Sequence, residues 1–255
     1  MSKKEILIFS DTHLFDNTAA DNCGIKLADS LVKLLKNKQY ELKIALGDFI
    51  EGLQGKTFGS IKKVYGKTFI DLTDLISFYI EGNHDAKFLP LLKKNVYKEY
   101  TFLNSIKLLH GHQFTVMNNG KVISLFLRWW AFIERLLGKK IAEHVDEYIL
   151  CEKESYYQKF LSKVGEYCFK SHIRICIIGH SHRLGIYCMT RDGIIFSLNS
   201  GEICDPSRFC VINDYVLIVN TGSCTNGNIE YATIIYDDND NYIDKIKVQN
   251  SNKLK

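Results

Sequence analysis

The chain has 255 residues, 46% hydrophobic and 24% charged, with 33 basic against 29 acidic side chains and a net charge of +4. That composition excludes a disordered tail, a collagen-like fibre and a small disulfide scaffold, and the length leaves ample chain for a core. The near balance of charge over the whole chain does not by itself point to nucleic acid or membrane as a partner.

Residues 5–10 form a short apolar run, read as a buried strand. Residues 25–38 place Ile25, Leu27, Leu31, Leu34 and Leu35 at helical spacing. Residues 42–46 are the next strand, ending in Gly47-Asp48. Residues 56–75 read as helix, weakened by Gly59 and Gly66. Residues 77–80 are a third strand, followed by Gly82-Asn83-His84-Asp85. Residues 97–103 and 105–110 read as two paired strands. This alternation predicts a mainly parallel sheet. Asp11, Asp48, Asn83 and His110 each fall just past the C-terminal end of a predicted strand, the edge where α/β sheets bind ligands.

The pattern then changes. Residues 122–137 and 141–169 read as helical, and a cap insertion is expected over 115–172 of a single domain spanning 1–255. Strands follow at 173–178, 185–189, 194–198, 215–219, 231–236 and 242–248, which suggests a second, mostly antiparallel sheet packed on the first. Residues 237–241 read as a polar hairpin turn. The apolar run at 122–137 is broken by Arg128, Glu134 and Arg135 and falls short of a spanning helix. With no signal-like N-terminus, a soluble, cytoplasmic protein is expected. The eight cysteines contain no CxxC and are expected as free, buried thiols; Cys204 and Cys210 bracket a loop and would pair only in an oxidising compartment.

Five blocks carry chemistry: Asp11-Thr-His13, Gly47-Asp48-Phe-Ile-Glu51, Gly82-Asn83-His84-Asp85, His110-Gly-His112 and Gly179-His180-Ser-His182. They hold six of the eight histidines; His144 and His172 lie outside them. Carboxylate, imidazole and amide oxygen suit Mn²⁺, Fe²⁺, Zn²⁺ or Mg²⁺ better than a thiolate-seeking ion. The ligands outnumber the needs of one ion and fit two ions sharing a bridging carboxylate, roughly 3.5–4 Å apart. The glycines of these blocks suit tight turns.

In these five blocks, taken in order, the chain resembles the calcineurin-like metallophosphoesterase superfamily, whose signature runs D-x-H, G-D-x-x-[DE], G-N-H-[DE], a later His and G-H-x-H. Asn220-Thr-Gly-Ser223 resembles the late N-x-G-S strand end of the same family. The resemblance implies a four-layer α-β-β-α sandwich and a phosphoric ester hydrolase. By position, it implies that Asp11, His13, Asp48 and His182 hold one metal. Asp48, Asn83, His110 and His180 would hold the other, with Asp48 bridging. A water bridging two ions has its pKa lowered towards about 7, and its hydroxide would attack phosphorus in line with the leaving oxygen. His84 is the candidate cation or acid beside the phosphoryl group, with Asp85 next to it to orient it or raise its pKa. Glu51 reads as a structural carboxylate behind the site. His112, Arg183 and Arg128 are candidate substrate contacts.

A Ser/Thr protein phosphatase would carry Asp-Arg-Gly after its Gly-Asp block; Phe49-Ile50-Glu51-Gly52 stands here instead. The Gly-His-Ser-His-Arg183 run and the helical insertion look most like the UDP-2,3-diacylglucosamine hydrolase branch, which cleaves a pyrophosphate in a lipid-linked sugar nucleotide and typically uses Mn²⁺. Thr115 and the added chain between residues 202 and 214 depart from that branch. The expected partner is thus a phosphate-ester small molecule, with an apolar portion or a peripheral membrane contact as further readings of the Trp129-Trp130 segment. The same five blocks are also compatible with a nuclease, a cyclic-nucleotide phosphodiesterase or a non-catalytic metal-binding scaffold of the same fold.

Overall fold

The computed structural model describes residues 3–18, 21–53, 56–103, 106–115, 129, 132, 133, 136, 137, 154–198, 203–206, 214–237 and 242–251. Arg128, His144, Cys210, the turn at 238–241 and most of the expected 115–172 insertion lie outside them.

Two sheets stack between helical layers. The first carries β1 (Lys4–Phe9), β2 (Tyr40–Leu46), β3 (Phe78–Ile80) and β4 (Val96–Tyr97) in parallel. The second contains β5 (Glu99–Phe102), β6 (Ile106–Leu109), β7 (Ile175–Ile178), β8 (Leu184–Thr190), β9 (Ile195–Ser197) and β11 (Tyr215–Thr221). Its order is β5-β6-β7-β11-β8-β9. β10 (Ile203–Cys204), β12 (Glu230–Asp237) and β13 (Tyr242–Asn250) complete the first sheet, whose order is β10-β13-β12-β1-β2-β3-β4.

One expectation changes here. The last two strands do not join the second sheet; β12 pairs antiparallel with β1 and carries β13 with it. The second sheet is mostly antiparallel as expected, with β7 pairing in parallel with both β6 and β11.

Side-chain alternation explains the layering. Successive residues of a strand face opposite ways. Ile6 and Ile8 of β1 and Ile175 and Ile177 of β7 therefore meet in the core between the sheets. Leu7 and Phe9 face the other way, onto α1 (Gly24–Leu35), α2 (Phe58–Tyr65) and α3 (Lys67–Leu75). Cys176 and Ile178 face outward onto Tyr157, Phe160, Leu161 and Val164 of α4 (Glu154–Lys170). The result is the α-β-β-α sandwich. The residues of α4, expected within the insertion, are its fourth layer.

Local chemistry sets the helix ends. Thr57 Oγ1 accepts the Ser60 N–H at 3.2 Å and starts α2. Gly66, at φ 52°, separates α2 from α3 where one helix was expected. The five described free cysteines, at 23, 168, 176, 188 and 224, are buried. No helix among the described residues is long and apolar enough to cross a membrane.

Candidate metal centre

The loops after β1 and β2 continue side by side beyond the sheet. Asp11 N–H donates to Gly47 O at 3.1 Å, His13 N–H to Asp48 O at 2.9 Å and Glu51 N–H to Leu14 O at 3.0 Å. This pairing holds the first two blocks in register. Asp11, His13, Asp48, His180 and His182 all have positive φ, between 45° and 67°. Non-glycine residues in that region cost on the order of 1 kcal/mol or more each. The left-handed turns bring Asp11 with His13, and His180 with His182, onto one side of their loops.

Each central carboxylate is divided between two tasks. Asp11 Oδ2 accepts the His180 N–H at 2.9 Å, and Asp48 Oδ1 accepts the His84 N–H at 2.9 Å. Their other oxygens face the imidazoles. Asp11 Oδ1 is 3.2 Å from His182 Nε2 and 3.9 Å from His13 Nε2. Asp48 Oδ2 is 3.1 Å from His110 Nε2, 3.9 Å from His13 Nε2 and 4.0 Å from His84 Nε2. The close approach of the third block requires a glycine, since a Cβ on Gly82 would collide with Asp48 Oδ1.

Donor atoms about 2.1 Å from one ion stand roughly 3.0–3.4 Å apart at octahedral or tetrahedral angles. The spacing here is close to that. Three sets of donor atoms lie within 4.8 Å of one another: Asp11, His13 and His182; His13, Asp48 and His84; Asp48, His110 and His180. Asp11 Oδ1, His110 Nε2 and His180 Nε2 are buried and make no hydrogen bond. Buried polar atoms are seldom left so, and here they converge on one place. The donors, their spacing and these orphaned atoms fit a dinuclear divalent metal site.

The tautomer of His110 also fits. Its Nδ1–H donates to Leu46 O at 2.9 Å, which leaves Nε2 as the free donor atom of the neutral ring. Without an ion, burial opposes the charge on this ring, but Asp48 and Asp11 outweigh burial and raise it from 6.5 to about 9. Burial alone would push Asp11 and Asp48 up; the surrounding rings, His182 and His110 on Asp11, His110 and His84 on Asp48, hold both below the usual carboxylate range. Burial, with His110 close by, lowers His180 to about 3 and His112 to about 4.

The expected site residues do not all fall alike. His182 is 36% exposed at the mouth. Asn83 sits on the exposed rim, and its amide makes no hydrogen bond among the described residues. His112 lies beside His110, with ring centroids 5.6 Å apart. Arg183 is held by Glu154 at 2.8 Å and lies over the Tyr157 ring.

The place given to Asp85 is a correction. Asp85 does not meet the His84 ring. Its buried carboxylate accepts the Phe49 N–H at 2.7 Å and the Gly82 N–H at 2.9 Å, clasping the second block to the third. Burial and the Asp48 charge push this carboxyl up to about 7, against the pull of those two bonds. Glu51 stands where Asp85 was expected: its Oε2 is 2.6 Å from His84 Nδ1 and 3.4 Å from His13 Nδ1. Burial would raise Glu51, but the His84 and His13 rings hold it low. The Gly-Asp-x-x-Glu spacing carried this signal, and sequence adjacency to His84 hid it.

The late block braces the site from below. Asn220 hydrogen-bonds Ser181 between the two histidines of the last block. The Ser10 and Thr221 hydroxyls are 2.7 Å apart, and Ser10 Oγ donates to Gly222 O at 3.0 Å.

The sequence model for the calcineurin-like phosphoesterases matches residues 4–184, which include all five blocks. The chain belongs to this family. Among solved structures, the chain is similar to Vps29 of Chaetomium thermophilum, at 12% identity and a TM-score of 0.40, over 97% of this chain and 95% of that one. It is also similar to a protein described as a novel phosphatase from Mycoplasma pneumoniae, at 12% identity and a TM-score of 0.45, over 98% and 94%. No curated protein matches the chain.

Proposed function

We propose that this family member hydrolyses a phosphomonoester, phosphodiester or pyrophosphate bond with two divalent ions, Mn²⁺ first among them, then Zn²⁺, Fe²⁺ or Mg²⁺. The observation that carries the reading is the position of Asp48. One carboxylate oxygen is tied to the His84 N–H, and the other faces His13, His84 and His110.

Asp11, His13, Asp48 and His182 would hold one ion, and Asp48, Asn83, His110 and His180 the other. Bound divalent ions supply Lewis acidity toward phosphoryl oxygens and acidify water at the site. The chain's own residues do the rest. The left-handed loops fix the donors before substrate arrives, so little reorganisation is left for the reaction. Glu51 accepts the Nδ1–H of His84 and stabilises its protonated ring, which leaves the Nε2 side to donate a proton toward a leaving oxygen or to carry charge beside a phosphoryl oxygen. Asp85 fixes the backbone on which Asp48 and His84 are mounted. His112 and Arg183 border the mouth as candidate substrate contacts.

The test is metal-dependent turnover after stripping and re-adding Mn²⁺, Zn²⁺ and Mg²⁺. The substrates are an aryl monoester, an aryl diester, a UDP-sugar with and without acyl chains, a cyclic nucleotide and single-stranded DNA. Turnover of any phosphate ester that needs added metal and is lost in His84→Ala supports the reading. Preference for the acylated UDP-sugar would select the lipid sugar-nucleotide pyrophosphatase. Two bound ions with no turnover on any substrate would overturn the enzyme in favour of a metal-binding scaffold.

A further inference from the structure

The metal centre leaves one part of the chain without a role. Trp129, Phe132, Ile133, Leu136 and Leu137 are helical. Their spacing, i, i+3, i+4, i+7 and i+8, places them on one continuous helix face. A face of that kind ordinarily turns inward. Here Trp129 is 58% exposed, Phe132 59%, Leu136 75% and Leu137 54%. Contiguous exposed apolar side chains of this size mark a place where something docks.

The charge of the same stretch says what. Residues 121–140 contain five Lys or Arg and one Glu, a surplus of four that equals the net charge of the whole 255-residue chain. The remainder of the protein is neutral in sum, so the surplus falls in the same stretch of sequence that carries the apolar face. Aromatic and aliphatic side chains interleaved with basic ones are the pattern of a helix lying in the plane of a membrane surface. Trp sits well at the headgroup level, and each basic residue near an anionic surface adds about 1 kcal/mol. The stretch is too charged to span. A protein partner would not require the charge surplus to be gathered at the same place.

We propose that the helix face of Trp129, Phe132, Leu136 and Leu137 docks this protein on an anionic lipid bilayer. The contact lies on the surface of the leaflet, with these apolar side chains at the acyl boundary. It does not depend on the phosphoesterase reading, and its test uses no turnover.

Trp129 and Trp130 are the only tryptophans in the chain, so intrinsic emission reports on this stretch alone. The full chain is mixed with phosphatidylcholine vesicles, with and without phosphatidylglycerol, and followed by tryptophan emission and by flotation. The expected result is a blue shift and co-flotation with the anionic vesicles, at least tenfold tighter than with neutral ones and weakened by salt. The triple variant Phe132→Ser, Leu136→Ser, Leu137→Ser loses more than tenfold in apparent affinity while its melting temperature and its metal content are unchanged. Equal binding to neutral vesicles, or none to either, overturns the proposal. A blue shift that grows with protein concentration in the absence of lipid, together with a doubled mass, overturns it in favour of a second copy of the chain on this face.

Discussion

His84 Nδ1 and Glu51 Oε2 are 2.6 Å apart, although they come from loops that follow different strands. The pair couples a ring that lies 4.0 Å from Asp48 Oδ2 to a buried carboxylate that also approaches His13. Replacing Glu51 with Gln keeps the shape and removes the charge. The expected outcome is a kcat lower by about 10²-fold, the order of a general acid-base contribution, with metal content retained. Glu51→Gln combined with His84→Asn should cost no more than the larger single change, because the two act as a unit. Full additivity in steady-state kinetics would dissolve the pair.

Asp48 belongs to two of the three donor sets, one with His13 and His84 and one with His110 and His180. Asp48→Asn removes the charge that the two ions would share. The metal content per chain should drop from two to less than one, measured by elemental analysis after dialysis. Retention of both ions would falsify the bridging position.

Gly82 and Gly59 should respond to Ala in opposite directions. A Cβ at Gly82 would meet Asp48 Oδ1 and the Asp48 backbone nitrogen. Overpacking of that kind costs about 1–3 kcal/mol, and Gly82→Ala should also release metal. Gly59 lies in α2 with nothing within 4 Å of its added Cβ. Gly59→Ala should stabilise by roughly 0.5 kcal/mol through helix propensity and a less flexible unfolded chain. Thermal melts of the two variants check both signs.

Metal should stabilise the protein more as pH rises. In the metal-free protein His110 is raised from 6.5 to about 9, so its contribution is complete below pH 6.5 and is lost as pH rises through about 9. A metal at Nε2 needs the neutral ring, so binding releases the proton in that same window. The gap in Tm between protein with added Mn²⁺ and protein with chelator should widen from about pH 6 to about pH 9, each kcal/mol amounting to roughly 2–4 °C at this chain size. A gap that is flat or narrows with pH would mean that His110 exchanges no proton for metal.

The strands and their order of occurrence were legible, because Ile6 and Ile8 against Leu7 and Phe9, or Ile175 and Ile177 against Cys176 and Ile178, alternate with period two. Sheet membership was not legible. Nothing in residues 231–236 specifies β1 as their neighbour; the pairing of Ile6 with Ile234 is decided by which face the rest of the chain buries. That Asp11, His13, Asp48, His110, His180 and His182 belong to one place was legible from their ordered spacing, and the structure gathers them. The partner of Asp85 was not, because adjacency along the chain is not adjacency in space. The residue after His84 turns back to clasp two backbone N–H groups, and the ring is met instead from 33 residues upstream.

The bond from the His180 N–H to Asp11 Oδ2 joins positions 169 residues apart, and Asn220 then fastens Ser181 from farther still along the chain. Ribosomes add about 5–20 residues per second, so roughly ten to forty seconds separate the emergence of Asp11 from that of Asn220. Until residue 180 is made, the chain carries Asp11, His13, Asp48 and, from residue 110 on, His110, with no clamp on Asp11 and neither histidine of the last block. An ion captured then meets an open, half-built set that cannot discriminate by geometry. The full donor set is therefore complete only late in biosynthesis, once the last block has joined the first.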